Sequence, residues 1–453
     1  MSTIAAISTP EALGGIAVIR ISGENAFDIA EKIFIPFGEK KISEMNGYTC
    51  SYGYVHDNGE RIDDCILTIF RAPHSYTGEN IAEISCHGGI YVTKRILRLA
   101  LKNGAENAEA GEFTKRAFLN NKLDLTSAEA VMDIISANGE NELKMAENLR
   151  RGATYKKVKK CSDSLVGILG GLAAWADYPD EDIPEVSNDN LFKVMKDVKS
   201  ELSSLIENYD CGRIIREGIS TVIVGKPNVG KSTLFNCLSG YDRSIVTDIA
   251  GTTRDAVEET VRLGDIKLRL IDTAGIRDTD DIIEGMGVEI AERMIESAQL
   301  VIVVFDGSKS LDENDLSVVN KINYKKSVAI INKSDIDSKI EIKKIENLFE
   351  HIIYMSAKNR SGIDNLKLEI EKIFSINEMS LSSVTAANER QKNCIEKAIY
   401  SLNQGILALE NGEFLDAINV LIDEAEQHLL ELTGEKVTEA VVDEVFSKFC
   451  VGK

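Results

Sequence analysis

Gly225-Lys226-Pro227-Asn228-Val229-Gly230-Lys231-Ser232 follows an apolar run, Ile219 to Val224, and precedes a helical pattern that starts at Thr233. In a strand, glycine-rich turn, helix setting, backbone N–H groups curl around a phosphate chain. The glycines permit the curl, Lys231 reaches the outer phosphoryl oxygens, and the Ser232 hydroxyl can ligate Mg2+. Asn228, Val229, Gly230, Lys231, Ser232 and Thr233 are the contacts expected from this segment. Two more loops carry matching chemistry: Asp272-Thr273-Ala274-Gly275 after an expected strand over Ile266 to Ile271, and Asn332-Lys333-Ser334-Asp335 after one over Ser327 to Ile331. Three such motifs at workable separations make coincidence untenable.

The base being read is guanine, because the Asp335 carboxylate can accept two hydrogen bonds at once, from N1–H and the exocyclic amine, a donor pair adenine lacks. Ser356-Ala357-Lys358, after an expected strand over Ile352 to Met355, fits either a loop closing over the base or an ordinary turn. On the phosphate side, Thr253 is placed to close on Mg2+ and the γ-phosphate, Asp272 to hold the metal through water, and Gly275 to sense the γ-phosphate. The stretch Thr247, Asp248, Ile249, Ala250, Gly251, Thr252 and the residues Thr273 and Ala274 join the expected nucleotide contacts. Gly275 is followed by Ile276, which can neither donate nor accept a hydrogen bond, so another residue must orient the attacking water. The nearby polar residues are Arg277, Asp278, Asp280, Asp281 and Glu284. No arginine is evidently placed to offset the developing charge. A monovalent cation held by oxygens of Asn228, Thr247, Ile249 and Thr252 would do so, although Asn228 also suits a plain turn.

Around these loops, the chain of 453 residues is 43% hydrophobic and 28% charged, enough for about three domains with real cores. Its uncharged start, Met-Ser-Thr-Ile, is not a signal-peptide pattern. The longest apolar run, Leu165 to Ala176, is too short for a bilayer and reads as a buried helix. Eight cysteines form no C-x-x-C pair, which suggests reduced, buried thiols and a cytoplasmic setting without a membrane. A net charge of -21 argues against nucleic-acid binding over the whole surface. One local patch, Arg150, Arg151, Lys156, Lys157, Lys159 and Lys160, contains no acid and reads either as a solvated helix face or as a nucleic-acid contact.

The expected fold is multidomain, α/β and α+β. Residues 1–118 mix short strands (Ile16 to Ile21, Cys65 to Phe70, Ile81 to Ser85) with helices such as Val92 to Leu101. Residues 119–217 read as almost continuous helix from a Thr126/Glu129 capping box, broken at the acidic turn Asp177 to Asp182. Residues 218–375 alternate strands and helices, the pattern of a mostly parallel, two-faced sheet. Residues 376–453 return to helix, with no proline after Pro227. Two helical stretches flanking an α/β unit imply a nucleotide domain inserted into a helical one.

This order of segments, Gly-Thr-Thr-Arg-Asp at 251 to 255 and the terminal Phe449-Cys450-Val451-Gly452-Lys453 resemble the bacterial MnmE (TrmE) family of tRNA-modification GTPases over essentially the whole chain. The resemblance implies a Ras-like P-loop GTPase domain and a dimerising, folate-binding-like N-terminal domain. It implies a homodimer that joins the FAD-containing protein MnmG in a heterotetramer and installs an aminomethyl-type group on C5 of the wobble uridine of certain tRNAs. A one-carbon tetrahydrofolate, 5-formyl or methylene, is the implied donor, with contacts at Arg20, Glu83, Lys122 and Lys453. From sequence alone, Arg20, Glu83 and Lys122 read as solvent-facing. The resemblance also implies that Glu284 orients water beside Lys231, and that potassium orders the switch loop. Cys450 reads as a nucleophile, a positioned polar group or a buried anchor, with Phe446, Phe449 and Val451 gripping the tail. Cys86 is taken as structural. The GTPase motifs alone are shared with ribosome-assembly GTPases of the Era and Der type, which is the alternative reading.

Overall fold

The computed structural model describes residues 1–38, 41–177, 187–207, 209–239, 259–271, 293–322, 325–376 and 387–453. These form two compact units: Met1–Met132, Leu149–Leu202 and Asn393–Lys453 make one, and Asp133–Asn148 with Ser203–Lys392 the other.

The first unit begins with a seven-stranded sheet ordered β3-β4-β5-β6-β2-β1-β7: β1 (Ile4–Ile7), β2 (Ile16–Ser22), β3 (Phe34–Pro36), β4 (Thr49–Asp57), β5 (Glu60–Phe70), β6 (Ile81–His87) and β7 (Glu106–Asn107). All neighbours are antiparallel except β1 and β7. The strands alternate, as a sheet with one covered face must. Cys65, Leu67 and Ile69 of β5 are buried, as are Ala17, Ile19 and Ile21 of β2, beneath α1 (Ala26–Ile33) and α2 (Ile90–Lys102). Cys86 belongs to this core, and burial pushes its thiol up to about 11, as a structural role requires. The other face carries Ile16, Arg20, Tyr52, Ile66 and Glu83. Of these, Ile16 (71%), Tyr52 (56%) and Ile66 (47%) are exposed.

Helices follow: α3 (Glu112–Leu119), α4 (Leu125–Ser136), α5 (Glu140–Arg150), α6 (Ala153–Asp177), α7 (Asn188–Glu207) and α8 (Tyr209–Glu217). The helical stretch is therefore more broken than expected. One break holds Gly139, and another Gly152 at φ +74°, a left-handed conformation that favours glycine. The cap of α4 also differs. Thr126 lies inside the helix, while Asp124 accepts from the Ser127 N–H (3.0 Å) and from the Thr126 hydroxyl, because a carboxylate one turn earlier reaches the free amides first. The Leu165 to Ala176 run is not wholly buried. Leu165, Ile168 and Leu172 face the core, whereas Val166 and Trp175 are 52% and 41% exposed. Cys50, Cys65, Cys86, Cys161, Cys237, Cys394 and Cys450 are free thiols.

The second unit contains a six-stranded sheet ordered β13-β12-β11-β8-β10-β9: β8 (Ile219–Val224), β9 (Glu259–Leu263), β10 (Ile266–Leu270), β11 (Leu300–Asp306), β12 (Ser327–Asn332) and β13 (Ile352–Tyr354). Only the β9–β10 pairing is antiparallel. Every residue of β11 is buried, which explains its unbroken apolar sequence, since helices cover both faces. Separate cores lie on the two faces, one around Leu234, Phe235 and Leu366, the other around Ile295, Ile345 and Phe349. The associated helices are α9 (Lys231–Ser239), α10 (Glu313–Asn320), α11 (Ile342–Glu346) and α12 (Ile363–Ile373).

From Asn393 the chain belongs to the first unit again, and α13 (Glu389–Glu410), α14 (Leu415–Thr433) and α15 (Glu439–Ser447) complete it, with Gly412 at φ +74° separating α13 from α14. Phe446 and Phe449 pack with Leu125, Ala128 and Val442, each phenyl contributing about 2 kcal/mol from burial. The tail then lies along the N-terminal sheet domain. Gly111 N–H donates to Cys450 O (3.3 Å), Phe113 N–H donates to Lys453 O (3.2 Å), and Ala110 bridges Val451. Among the described residues, no helix is long and apolar enough to cross a membrane.

Gly111 sits at φ +66°, and a Cβ there would stand 2.7 Å from Phe446 O and 2.8 Å from Phe449 Cβ. Gly111→Ala should therefore cost about 1–3 kcal/mol locally and loosen the tail. The expected readout is faster removal of Lys453 by carboxypeptidase. Removal at the wild-type rate would mean that the tail does not depend on this contact.

Candidate functional site

Loops from four parallel strands converge at the carboxyl edge of the second sheet, where such sheets bind ligands. After β8, Gly225 (φ +150°) and Gly230 (φ +99°) turn the phosphate loop. A Cβ on Gly225 would lie 2.5 Å from Val304 O, and one on Gly230 would lie 2.3 Å from Asn332 Nδ2. Only glycine fits either place. Lys231 opens α9 and donates from Nζ to Gly225 O (3.0 Å) and Lys226 O (2.7 Å), so its ammonium is drawn across the loop mouth. Ser232 and Thr233 follow in the first turn of α9, Val229 is buried, and Asn228 is exposed at φ +63°.

The base-reading loops are fastened to the phosphate loop by one side chain. Buried Asn332, at the end of β12, donates from Nδ2 to Val229 O (2.8 Å) and accepts at Oδ1 from the Ala357 N–H (3.0 Å). Lys333, also in the left-handed region (φ +63°), donates to Asn228 O (3.1 Å) and to Asp306 Oδ2 (2.7 Å). Burial raises the Asp306 carboxyl, but Lys333 and Ser308 outweigh it and hold the group below its ordinary value. Asp335 is exposed. It accepts from Ser356 Oγ (2.6 Å), and this bond, with the nearby charges of Lys358 and Lys333, keeps it ionised below the usual aspartate range. An anionic Asp335 beside Ser356, Ala357 and Lys358 has the chemistry to accept both donors of a guanine edge.

Sequence reasoning missed Lys226 and its two acids. Its Nζ lies 2.7 Å from both Asp312 and Asp315, which also form the capping box of α10. Burial opposes the charge on Lys226, but the two carboxylates prevail and raise its pKa. The capping-box spacing was visible; its pairing with a lysine 86 residues earlier was not. Thr247, Asp248, Ile249, Ala250, Gly251, Thr252, Thr253, Asp272, Thr273, Ala274, Gly275 and Glu284 lie outside the described residues.

The second cluster lies in the first unit. Arg20 and Glu83 face each other across β2 and β6, with Nε donating to Oε1 at 2.7 Å, and the guanidinium covers the rings of Tyr76 (5.6 Å) and Phe113 (5.4 Å). These are half-buried, paired groups, contrary to the solvent-facing reading of the bare sequence. Lys453 arrives here on the docked tail. Burial lowers its pKa, Arg20 adds to the effect, and Glu83 and Cys450 oppose it. The structure thus brings Arg20, Glu83 and Lys453 together. Lys122 stands apart, with Nζ donating to Pro73 O (3.0 Å) and its chain against Gly78. Cys450 is exposed, which removes the buried-anchor reading, and Val451 is 60% exposed, so the tail is held by its backbone and by Phe446 and Phe449. Arg116 was also missed. It is buried between Glu79 and Glu112 and donates to Ser2 O (2.7 Å).

A family model of the MnmE helical domain matches residues 125–450, and one of the GTP-binding protein TrmE N-terminus matches residues 3–122. The chain is 42% identical to the tRNA modification GTPase MnmE of Acetivibrio thermocellus over 456 aligned positions, covering 100% of this chain and 99% of the relative. The tRNA modification GTPase MnmE of Clostridioides difficile is 42% identical with the same coverage. The chain belongs to the MnmE family of tRNA modification GTPases. A solved structure of Era from Aquifex aeolicus is 28% identical over 40% of this chain and 66% of its own, at a TM-score of 0.26. This MnmE family member is therefore a GTPase, with a P-loop nucleotide domain inserted into a helical domain and preceded by an α+β domain. The Era/Der alternative is set aside, because both ends of the chain, and not only its GTPase motifs, match the MnmE family.

Asn332→Ala would leave Val229 O and the Ala357 N–H unpaired, each costing about 1–3 kcal/mol. GDP and GTP should bind at least about tenfold more weakly, measured by titration with a fluorescent guanine nucleotide. Wild-type affinity in a folded variant would show that Asn332 does not fasten the two loops.

Proposed function

We propose that this GTPase uses its hydrolysis cycle to gate one-carbon modification of tRNA at C5 of the wobble uridine, working as a homodimer with the flavoprotein MnmG and a tetrahydrofolate donor. The observation that carries the reading is the docked tail, which sets Lys453 beside the Arg20–Glu83 pair, so that cations and a carboxylate meet where a ligand with both a ring system and carboxylates would fit. Tyr76 and Phe113, under the Arg20 guanidinium, offer flat apolar surface for the ring. In this reading, residues 1–118 bind folate and dimerise, 119–217 and 376–453 form the helical domain, and 218–375 form the GTPase domain. The exposed face of the N-terminal sheet, with Ile16, Tyr52 and Ile66, suits the dimer contact.

At the nucleotide site, a glycine-turned cradle that no Cβ could enter fits a phosphate chain with its Mg2+. Ser232, Thr253 and, through water, Asp272 would hold the metal, which would neutralise charge on the phosphates. Lys231 would leave its carbonyl partners in part to meet the phosphoryl oxygens, and Asp335 would exclude adenine. Lys333 engages the main-chain carbonyl of Asn228, so the Asn228 side-chain oxygen is the one suited to potassium, together with Thr247, Ile249 and Thr252. Glu284 would orient the attacking water in place of the apolar Ile276. The cytoplasm, where tRNA and reduced thiols coexist, is the expected location.

Glu284→Ala should lower kcat by roughly 10²-fold with little change in nucleotide affinity, and sodium should fail to replace potassium. Phosphate-release assays in the two salts decide this, and equal rates would remove the cation from the mechanism. For the second site, Cys450→Ser removes a nucleophile with little change in volume. If the exposed thiol serves the modification, GTP turnover persists while mass spectrometry of tRNA nucleosides shows the modified uridine lost. Modified uridine at wild-type levels would exclude the thiol from the chemistry.

A further inference from the structure

A cavity of about 1260 Å³ opens in the first unit beside the Arg20–Glu83 site, larger than the roughly 300–1,000 Å³ of an ordinary ligand pocket. In a chain of net charge -21, its lining includes six cations against four acids. Lys122, Arg150, Arg151 and Lys156, with the one acid Asp124, come from the stretch 119–156, whereas Glu435, Glu439 and Asp443, with the one cation Lys436, come from 433–443. Two of the acids are already engaged, Glu435 by Lys159 (3.1 Å) and Asp443 by Lys115 (2.6 Å). Asp124, the fourth, accepts from the hydroxyls of Thr126 and Ser127. The wall from 119–156 thus carries four cations to one acid.

Tyr76 marks where this wall meets the other site. Arg20 lies over its ring, its hydroxyl is 2.9 Å from Thr114 Oγ1, and its phenol feels the positive charge of both Arg20 and Arg150. Lys122 continues the same line from Pro73 into the cavity. A ligand seated on Arg20, Glu83 and Lys453 that carries a chain of anions would find its next partners along Lys122, Arg150, Arg151 and Lys156.

We propose that this wall binds the poly-γ-glutamate tail of the folate. The proposal rests on the folate reading above and names the form of the ligand. Each γ-linked glutamate adds one α-carboxylate at a regular interval, and a row of guanidinium and ammonium groups in a recess matches such a chain. The recess runs on from the Arg20–Glu83 site past Tyr76 and Lys122, which favours the anionic tail of a ligand seated there over a separate RNA backbone.

The test uses the full-length protein and calorimetric titration with monoglutamyl and pentaglutamyl 5-formyltetrahydrofolate. At low salt the pentaglutamyl form should bind about tenfold or more tightly, an advantage that shrinks as salt rises. The double substitution Arg151→Gln/Lys156→Gln should abolish most of that advantage while monoglutamyl affinity holds. Lys156→Glu alone should reduce it too, which keeps the test alive if the double variant folds poorly. Equal affinity of the two forms, or an advantage that survives both variants, overturns the proposal. Weakened tRNA retention with the glutamate preference intact would assign the wall to RNA and also overturn it. If neither folate form binds, the folate reading itself falls, and the tail subsite falls with it.

Discussion

One amide, that of Asn332, sets the geometry of the nucleotide site. Its two hydrogen bonds reach the phosphate loop at Val229 and the base loop at Ala357, so loops that follow three different strands keep a fixed spacing. A buried amide with both ends engaged is rigid at little cost, whereas one left unsatisfied would be expensive. Gly230 has no side chain because a Cβ would displace that amide. Lys333, next in the chain, sits in the left-handed region, and from there its Nζ reaches both Asn228 O and Asp306. The spacing between the loop after β8 and the loop after β13 therefore depends on one side chain from β12.

The N-terminal site follows a different logic. Arg20 and Glu83 occupy directly paired positions on the outward face of their sheet, and a cross-strand pair of opposite charge holds itself in place. The tail then adds a third charge, Lys453, which burial disfavours most and Arg20 further, while Glu83 favours it. In the folate reading, a ligand carboxylate would meet a lysine that burial, and then Arg20, disfavour as a cation.

What the sequence made legible was local. The glycine-rich loop after β8, the Asn332-Lys333-Ser334-Asp335 turn after β12 and the strands β2, β5 and β6 each lie within a few residues of their cause, and each element stands where expected. What it hid was pairing at a distance. Lys226 with Asp312 and Asp315, Arg116 with Glu79, and Lys333 with Asp306 are single charged residues whose partners are named only by the fold. The misplaced cap at Thr126 and the exposed Val451 share another origin. In both, several residues could do the job by type, and the choice was made by reach: Asp124 has the nearer carboxylate, and the tail's backbone bonds to Ala110, Gly111 and Phe113 turn Val451 outward.

The buried pair of Arg262 and Glu142 shows why such distant partners matter. Each is only 7% exposed, 120 residues apart in the chain, and together they close a ring: Arg262 donates to Glu142 (3.1 Å) and to Asn138 O, and the Asn138 N–H donates to Glu142 (2.8 Å). Desolvating two charges offsets most of what their attraction returns, so the pair adds little net stability, while losing one partner alone would cost about 3–5 kcal/mol. Its effect is on position. Two apolar residues could fill the same volume with α5 shifted or rotated, but the ring accepts one placement of the α5 N-terminus against β9. β9 pairs with β10, and β10 with β8, so the start of α5 is tied through this strand pair to the strand from which the glycine-rich loop emerges.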